Sequence, residues 1–137
     1  MQWITRSHVH VDRVACPWLI TRFVDSEAEF IFVPSNQIEK VAKETGAIPY
    51  DTPSVELGHV DGRCSFESII LKYGLKEPGL LRQMWRKILN TDPIARGLEA
   101  IASGYSLRFP DDLENIENQF EVYDALYAWC RLDVARK

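Results

Sequence analysis

The densest grouping of reactive side chains lies near the amino end, where His8, His10, Asp12, Arg13 and Cys16 fall within nine positions. A second grouping is the run His59-Val60-Asp61-Gly62-Arg63-Cys64-Ser65-Phe66-Glu67, and Asp124 stands among the aromatic residues of the late chain. Three chemistries suit these residue types. The first is oxyanion binding. Arg13 offers a rigid guanidinium fork, and the unpaired N–H groups of a helix N-terminus add partial positive charge, so together they suit a tetrahedral dianion. Arg63 joins them if the Gly62 turn folds toward that helix. The bland alternative for Arg13 is a structural ion pair.

The second chemistry is metal binding. In an extended chain His8, His10 and Asp12 would share one face, because strand side chains alternate. A set drawn from His59, Asp12, Glu67 and Asp124 is rich in oxygen and suits manganese, iron or magnesium better than a structural zinc. No CxxC pair is present to build a structural zinc site. A divalent ion, Mn, Fe or Zn, is therefore the candidate cofactor. Against this stand exposed histidines, an Asp12 that caps a helix and a Glu67 that favours its own first turn. The third chemistry is thiol reactivity at Cys16 or Cys64, since a cysteine near a helix N-terminus and an arginine has a lowered pKa. The alternative for Cys16, beside Pro17 and Trp18, is simple packing.

These residues need elements to hold them. Gln2 to Thr5 and Glu29 to Val33 are rich in aromatic and β-branched residues and predict strands, the second closed by Pro34. Between them the spacing predicts a helix with Val14, Trp18 and Leu19 on one face, stopping near Asp25 and capped either by Asp12 or by Cys16 with Pro17 at the first helical position. A second helix is expected from Ser35 or Asn36 to Glu44, with Gly46 as its stop. Residues 48–53 read as extended chain and turns. A third strand is predicted over Val55 to Val60, ending in the Asp61-Gly62 turn, and Ser65 is the expected cap of a helix over Phe66 to Tyr73.

The rest has helical period: Leu80 to Leu89, Ile94 to Ser103, and a segment from Pro110-Asp111-Asp112 to Leu132 with a break near Phe120. In that last segment Tyr123, Leu126, Tyr127 and Cys130 form a stripe expected to be core, and Asp124 at its border requires an arginine, a tyrosine hydroxyl or a metal if buried. The expectation is an α+β fold: a small mixed β-sheet of about three strands and a larger, mainly helical C-terminal portion.

Composition bounds the function. The 137 residues are 46% hydrophobic and 26% charged, which describes one globular domain able to fold without disulfides or a structural metal. The net charge of −4 opposes attraction to phosphate backbones and anionic lipid, so nucleic acid is not an expected partner of this domain. Three cysteines, an odd number, read as reduced thiols. No apolar run suits a signal peptide or a membrane span, and a cytoplasmic location is expected. Trp85, Tyr105, Phe109 and Phe120 are candidates for an apolar patch that would make a homo-oligomer.

Several stretches together resemble one known family. They are Trp3 to Arg6, Val11 to Ile20, Arg22-Phe23, Asp25, Glu29-Phe30, Phe32 to Pro34, Gly58-His59, Asp61 to Phe66, Tyr73-Gly74 and Tyr123 to Arg131. The pairing of DRVACPWLI with YDALYAWCR is similar to the chromate-resistance protein ChrB family, specifically its C-terminal domain, here read as a stand-alone chain over residues 1–137. The resemblance implies a link to chromate-responsive regulation and resistance. It also implies ligand or metal chemistry carried by Asp12, Arg13, Cys16, His59, Cys64, Glu67 and Asp124. The expected function is binding or sensing of a chromate-like oxyanion or a metal ion. A small metal- or thiol-dependent redox enzyme and a homo-oligomeric interaction module are the alternatives.

Overall fold

The computed structural model describes residues 1–8, 11–53, 55–58, 64–77, 84 and 93–135, with the backbone alone at residues 11–13. Strand β1 (Gln2–Arg6) is the centre of a three-stranded sheet, flanked by β2 (Glu29–Val33) and β3 (Ile48–Pro49) in the order β2-β1-β3. Both pairings are parallel, with Trp3 beside Phe30 and Ile48. The expected α+β class holds, but the described sheet is parallel rather than mixed. Parallel neighbours need crossover connections, which helices α1 (Val11–Phe23) and α2 (Ile38–Thr45) provide.

The third strand is also earlier than predicted. It falls on Ile48–Pro49, where a proline lacking an N–H is tolerated because the strand is at an edge. Of the predicted 55–60 segment only Leu57 pairs, in a single parallel bridge with Tyr50, and residues 59–60 lie outside the described residues.

Alternation along β1 sends Trp3 and Ile4 to opposite faces. Trp3 joins the main core with Val14, Trp18 and Leu19 of α1. Ile4 joins a smaller cluster with Ile38 of α2 and Ala47. α1 and α2 thus cover opposite faces of the sheet. Gly46 closes α2 in a left-handed conformation (φ 74°), as its position predicted.

α1 begins at Val11, so Cys16 is not its cap and Pro17 lies inside it. Pro17 removes one helical hydrogen bond, and the helix continues because Val14, Ala15, Trp18, Leu19 and Ile20 are all buried around it. Helix α3 (Ser65–Lys72) packs against α1, as does the long helix α5 (Asp112–Ala135) that follows α4 (Ile94–Arg108). α4 runs five residues past the predicted end at Ser103. α5 has no break at Phe120, since it contains neither glycine nor proline and buries Ile116, Gln119, Tyr123 and Cys130 along one side. The predicted helix over Leu80 to Leu89 lies outside the described residues apart from Met84, which is buried.

Candidate functional site

In a parallel sheet wound in both directions, the loops after adjacent strands part company at a switch point beyond the carboxyl ends of the strands, and a crevice forms there. Here that point lies between β1 and β3. β1 ends in Arg6, and α1 begins five residues on. β3 leads through Tyr50 to Asp51, which is buried and holds a left-handed backbone (φ 47°). Aspartate is among the few residues that tolerate this conformation.

Asp51 ties the edge together. Its carbonyl accepts hydrogen bonds from Thr5 Oγ1 at 3.4 Å and Arg6 Nη2 at 3.3 Å. Its carboxylate Oδ1 accepts from Ser65 Oγ at 2.8 Å. That second bond draws the first turn of α3 to the same edge. The N-cap of α3 is Cys64 rather than Ser65: its Sγ accepts the Glu67 N–H at 3.5 Å, which leaves the Ser65 hydroxyl for Asp51. One group in this network stays unmatched. Arg6 Nε is shielded from solvent and finds no acceptor among the described residues.

The predicted site residues fall in three places. Asp12 and Arg13 lie in the first turn of α1, their side chains outside the described residues, and His59, Arg63 and His10 lie outside them altogether. Cys64 and Glu67 open α3, Cys64 buried and Glu67 half-buried. Cys16 is fully buried in the middle of α1, and all three cysteines are free thiols. His8 takes a left-handed conformation (φ 64°) and donates its backbone N–H to Asp112 Oδ2 at 3.0 Å, and Asp12 lies in α1. His8 and Asp12 therefore do not share one strand, and His10 lies outside the described residues. Among the described residues no group of three His, Cys, Asp or Glu side chains is placed to hold a metal ion.

Asp124 sits away from the switch point. Its Oδ1 accepts from Trp18 Nε1 at 2.7 Å and Arg22 Nε at 2.9 Å, and its Oδ2 accepts from Arg22 Nη2 at 3.0 Å. Hydrogen bonding to Arg22 holds the Asp124 carboxyl below its ordinary range and pushes the Arg22 guanidinium up. The arginine partner anticipated for a carboxylate in this aromatic segment is thus Arg22, joined by the indole of Trp18.

The family described as "ChrB, C-terminal domain" matches residues 3–130. The chain belongs to the ChrB C-terminal domain family. A curated relative, "Protein ChrB" of Cupriavidus metallidurans, is 35% identical over 133 residues, which cover 92% of this chain and 40% of that protein. The chain spans about two-fifths of that relative's length. No solved structure matches.

The two most specific stretches of this ChrB-type domain meet in space. Val11 to Ile20 forms most of α1, Tyr123 to Arg131 forms the second half of α5, and the Trp18 ring lies 6.3 Å from Tyr123 and 5.7 Å from Tyr127. Sequence reasoning singled out neither Arg6 nor Asp51. The available signals were the position of Arg6 at the end of a predicted strand and an aspartate between Pro49 and Pro53, a setting for a left-handed turn residue. No helix among the described residues is long and apolar enough to cross a membrane.

Proposed function

We propose that this ChrB-type domain binds a small oxyanion of the chromate class at the carboxyl edge of the sheet and serves chromate resistance as its ligand-recognising part. The observation that supports the reading best is Arg6, a fixed cation at the switch point whose Nη2 is anchored on Asp51 and whose buried Nε has no described acceptor. An oxyanion supplies that acceptor. At α3's amino end Cys64 Sγ already accepts the Glu67 N–H, and the Asp51 carboxylate, bonded to the Ser65 hydroxyl, sets a negative charge beside it. The reading therefore assigns the anion to Arg6 and the amino end of α1, where backbone N–H groups and Arg13 add further donors.

Calorimetric titration with chromate, sulfate and phosphate tests this. Saturable chromate binding is expected, weakened about tenfold or more by Arg6→Ala and by Arg13→Ala, since each removes charge-assisted hydrogen bonds. Unchanged affinity in both variants, with circular dichroism showing them folded, would falsify the site. A second reading, thiol chemistry, draws on Cys64, whose sulfur accepts a backbone N–H at a helix N-terminus, an arrangement that favours the thiolate. Faster alkylation of Cys64 than of Cys130 at neutral pH is its expected signature.

A further inference from the structure

We propose that the outer edge of β2 is a docking groove in which an extended, basic protein segment adds a fourth strand to the sheet. Glu29 N–H bonds to the Met1 carbonyl and the Val33 carbonyl accepts from Ser7 N–H, so residues 29, 31 and 33 turn their backbone groups toward β1. By strand alternation, the N–H and C=O groups of Phe30 and Phe32 point outward. No hydrogen bond from another described element reaches them. The strand reads Glu-Phe-Ile-Phe-Val, with a charge only at its start and Pro34 just beyond its end, so its middle carries neither a charge nor a proline to blunt the edge.

Beside this edge lies a pocket of about 460 Å³ between β2, the end of α1 and the first half of α5. Phe30, Leu113, Ile116 and Phe120 give it an apolar lining. Thr21 also lines it, and its Oγ1 is shielded from solvent with no hydrogen-bond partner among the described residues. An added strand would answer the outward backbone groups, place alternate side chains in the pocket and offer Thr21 a polar atom.

Charge selects the occupant. Glu29 and Glu117, both exposed, line the pocket, and among the described residues no lysine or arginine does. Arg22 lies over the Phe120 ring but is already paired with Asp124. A segment carrying Lys or Arg near its apolar residues fits this rim. A second copy of β2 fits it less well, because the stretch from Glu29 to Gln37 contains no basic residue to meet the two carboxylates.

The probe is a fluorescein-labelled peptide, Lys-Phe-Thr-Val-Thr-Lys, titrated into the whole chain and followed by anisotropy and by amide hydrogen exchange. The expected result is saturable binding that weakens about tenfold when Glu replaces both lysines of the peptide, or when Glu29→Lys and Glu117→Lys are combined in the protein. On binding, exchange slows at Phe30 and Phe32, while Ile31 and Val33, already bonded to β1, change little. The proposal is overturned if no saturable binding occurs or if the doubly substituted protein, folded by circular dichroism, binds equally well. It is also overturned if Phe30 and Phe32 are already protected in a free chain that light scattering shows to be a dimer, because a second copy then covers the edge.

Discussion

The two ends of α1 meet the rest of the protein in different ways. At its carboxyl end Trp18 and Arg22 converge on Asp124, and the indole N–H, the guanidinium fork and both carboxylate oxygens are all matched. Around them Phe23 meets Trp18 and Tyr127 edge to face, and Trp18 and Tyr127 meet at a tilt, with centroids 5.3 to 5.7 Å apart. Ahead of its amino end His8 is left-handed, and at the ends of the neighbouring strands Asp51 is left-handed and Arg6 Nε is without a described acceptor. Saturated polar groups in an aromatic setting hold a fold together. Left-handed non-glycine residues and a buried donor without a described acceptor cost stability, and such features gather at functional sites. One helix therefore anchors the domain with one end, and on the proposed reading its other end borders the ligand site.

The sharpest way to break this comparison is to attack the closed end. Trp18→Ala removes a fully buried indole that touches three aromatic rings and is expected to cost about 3–5 kcal/mol in urea unfolding. Under conditions where the variant stays folded, its chromate affinity should match that of the parent. A loss of affinity as large as that of Arg6→Ala would mean that the two ends do not act separately.

A somewhat smaller effect on stability, but a larger one on the ligand, is expected from Asp51→Ala. The substitution strands the buried Ser65 hydroxyl and puts alanine in a left-handed conformation, together about 2–3 kcal/mol. The Arg6 anchor is the Asp51 backbone carbonyl, which alanine keeps, so chromate binding should weaken through the loss of the left-handed turn that aims this carbonyl at Arg6. Asp124→Ala is the matching test at the other end: about 1–2 kcal/mol for the orphaned Trp18 N–H, with ligand affinity unmoved.

How much of this was legible in the sequence follows the same division. The closed end was readable, because helical spacing in α1 and α5 puts Trp18, Tyr123 and Cys130 on buried faces and because a carboxylate among aromatics demands a partner. The identity of that partner was not, since Arg22 and Asp124 are 102 residues apart and only packing brings them together. β1, β2 and the Gly46 stop were also readable from residue type. β3 was hidden by Pro49, which argues against a strand until the position is known to be an edge. Asp51 and Arg6 were hidden for a related reason: a switch point is a property of strand order, and strand order is not written in local periodicity.

The smallest expected effect is a pH dependence confined to the closed end. Asp124 is held below the ordinary carboxylate range, first by hydrogen bonding from Arg22 and then by the Trp18 indole and the Arg22 charge, against burial, which pushes it up. Its folded value lies below its unfolded one, so the folded state binds fewer protons in that range. The stabilisation is therefore complete above the unfolded carboxylate value of about 3.9 and is lost as the pH falls through the lower folded value. Asp124→Asn keeps an oxygen for the Trp18 N–H but cannot titrate. The stability gap between parent and Asn variant should narrow between about pH 5 and about pH 2. Asp25, lowered in the same direction chiefly by its hydrogen bond from Trp3, is common to both proteins and cancels in the difference. Because the Arg22 and Asp124 side chains are 41% and 43% exposed, solvent screens the pair, and the gap should not exceed about 1 kcal/mol. Parallel acid-unfolding curves down to the lowest pH would show that the Trp18 hydrogen bond, rather than the ion pair, closes this end of α1.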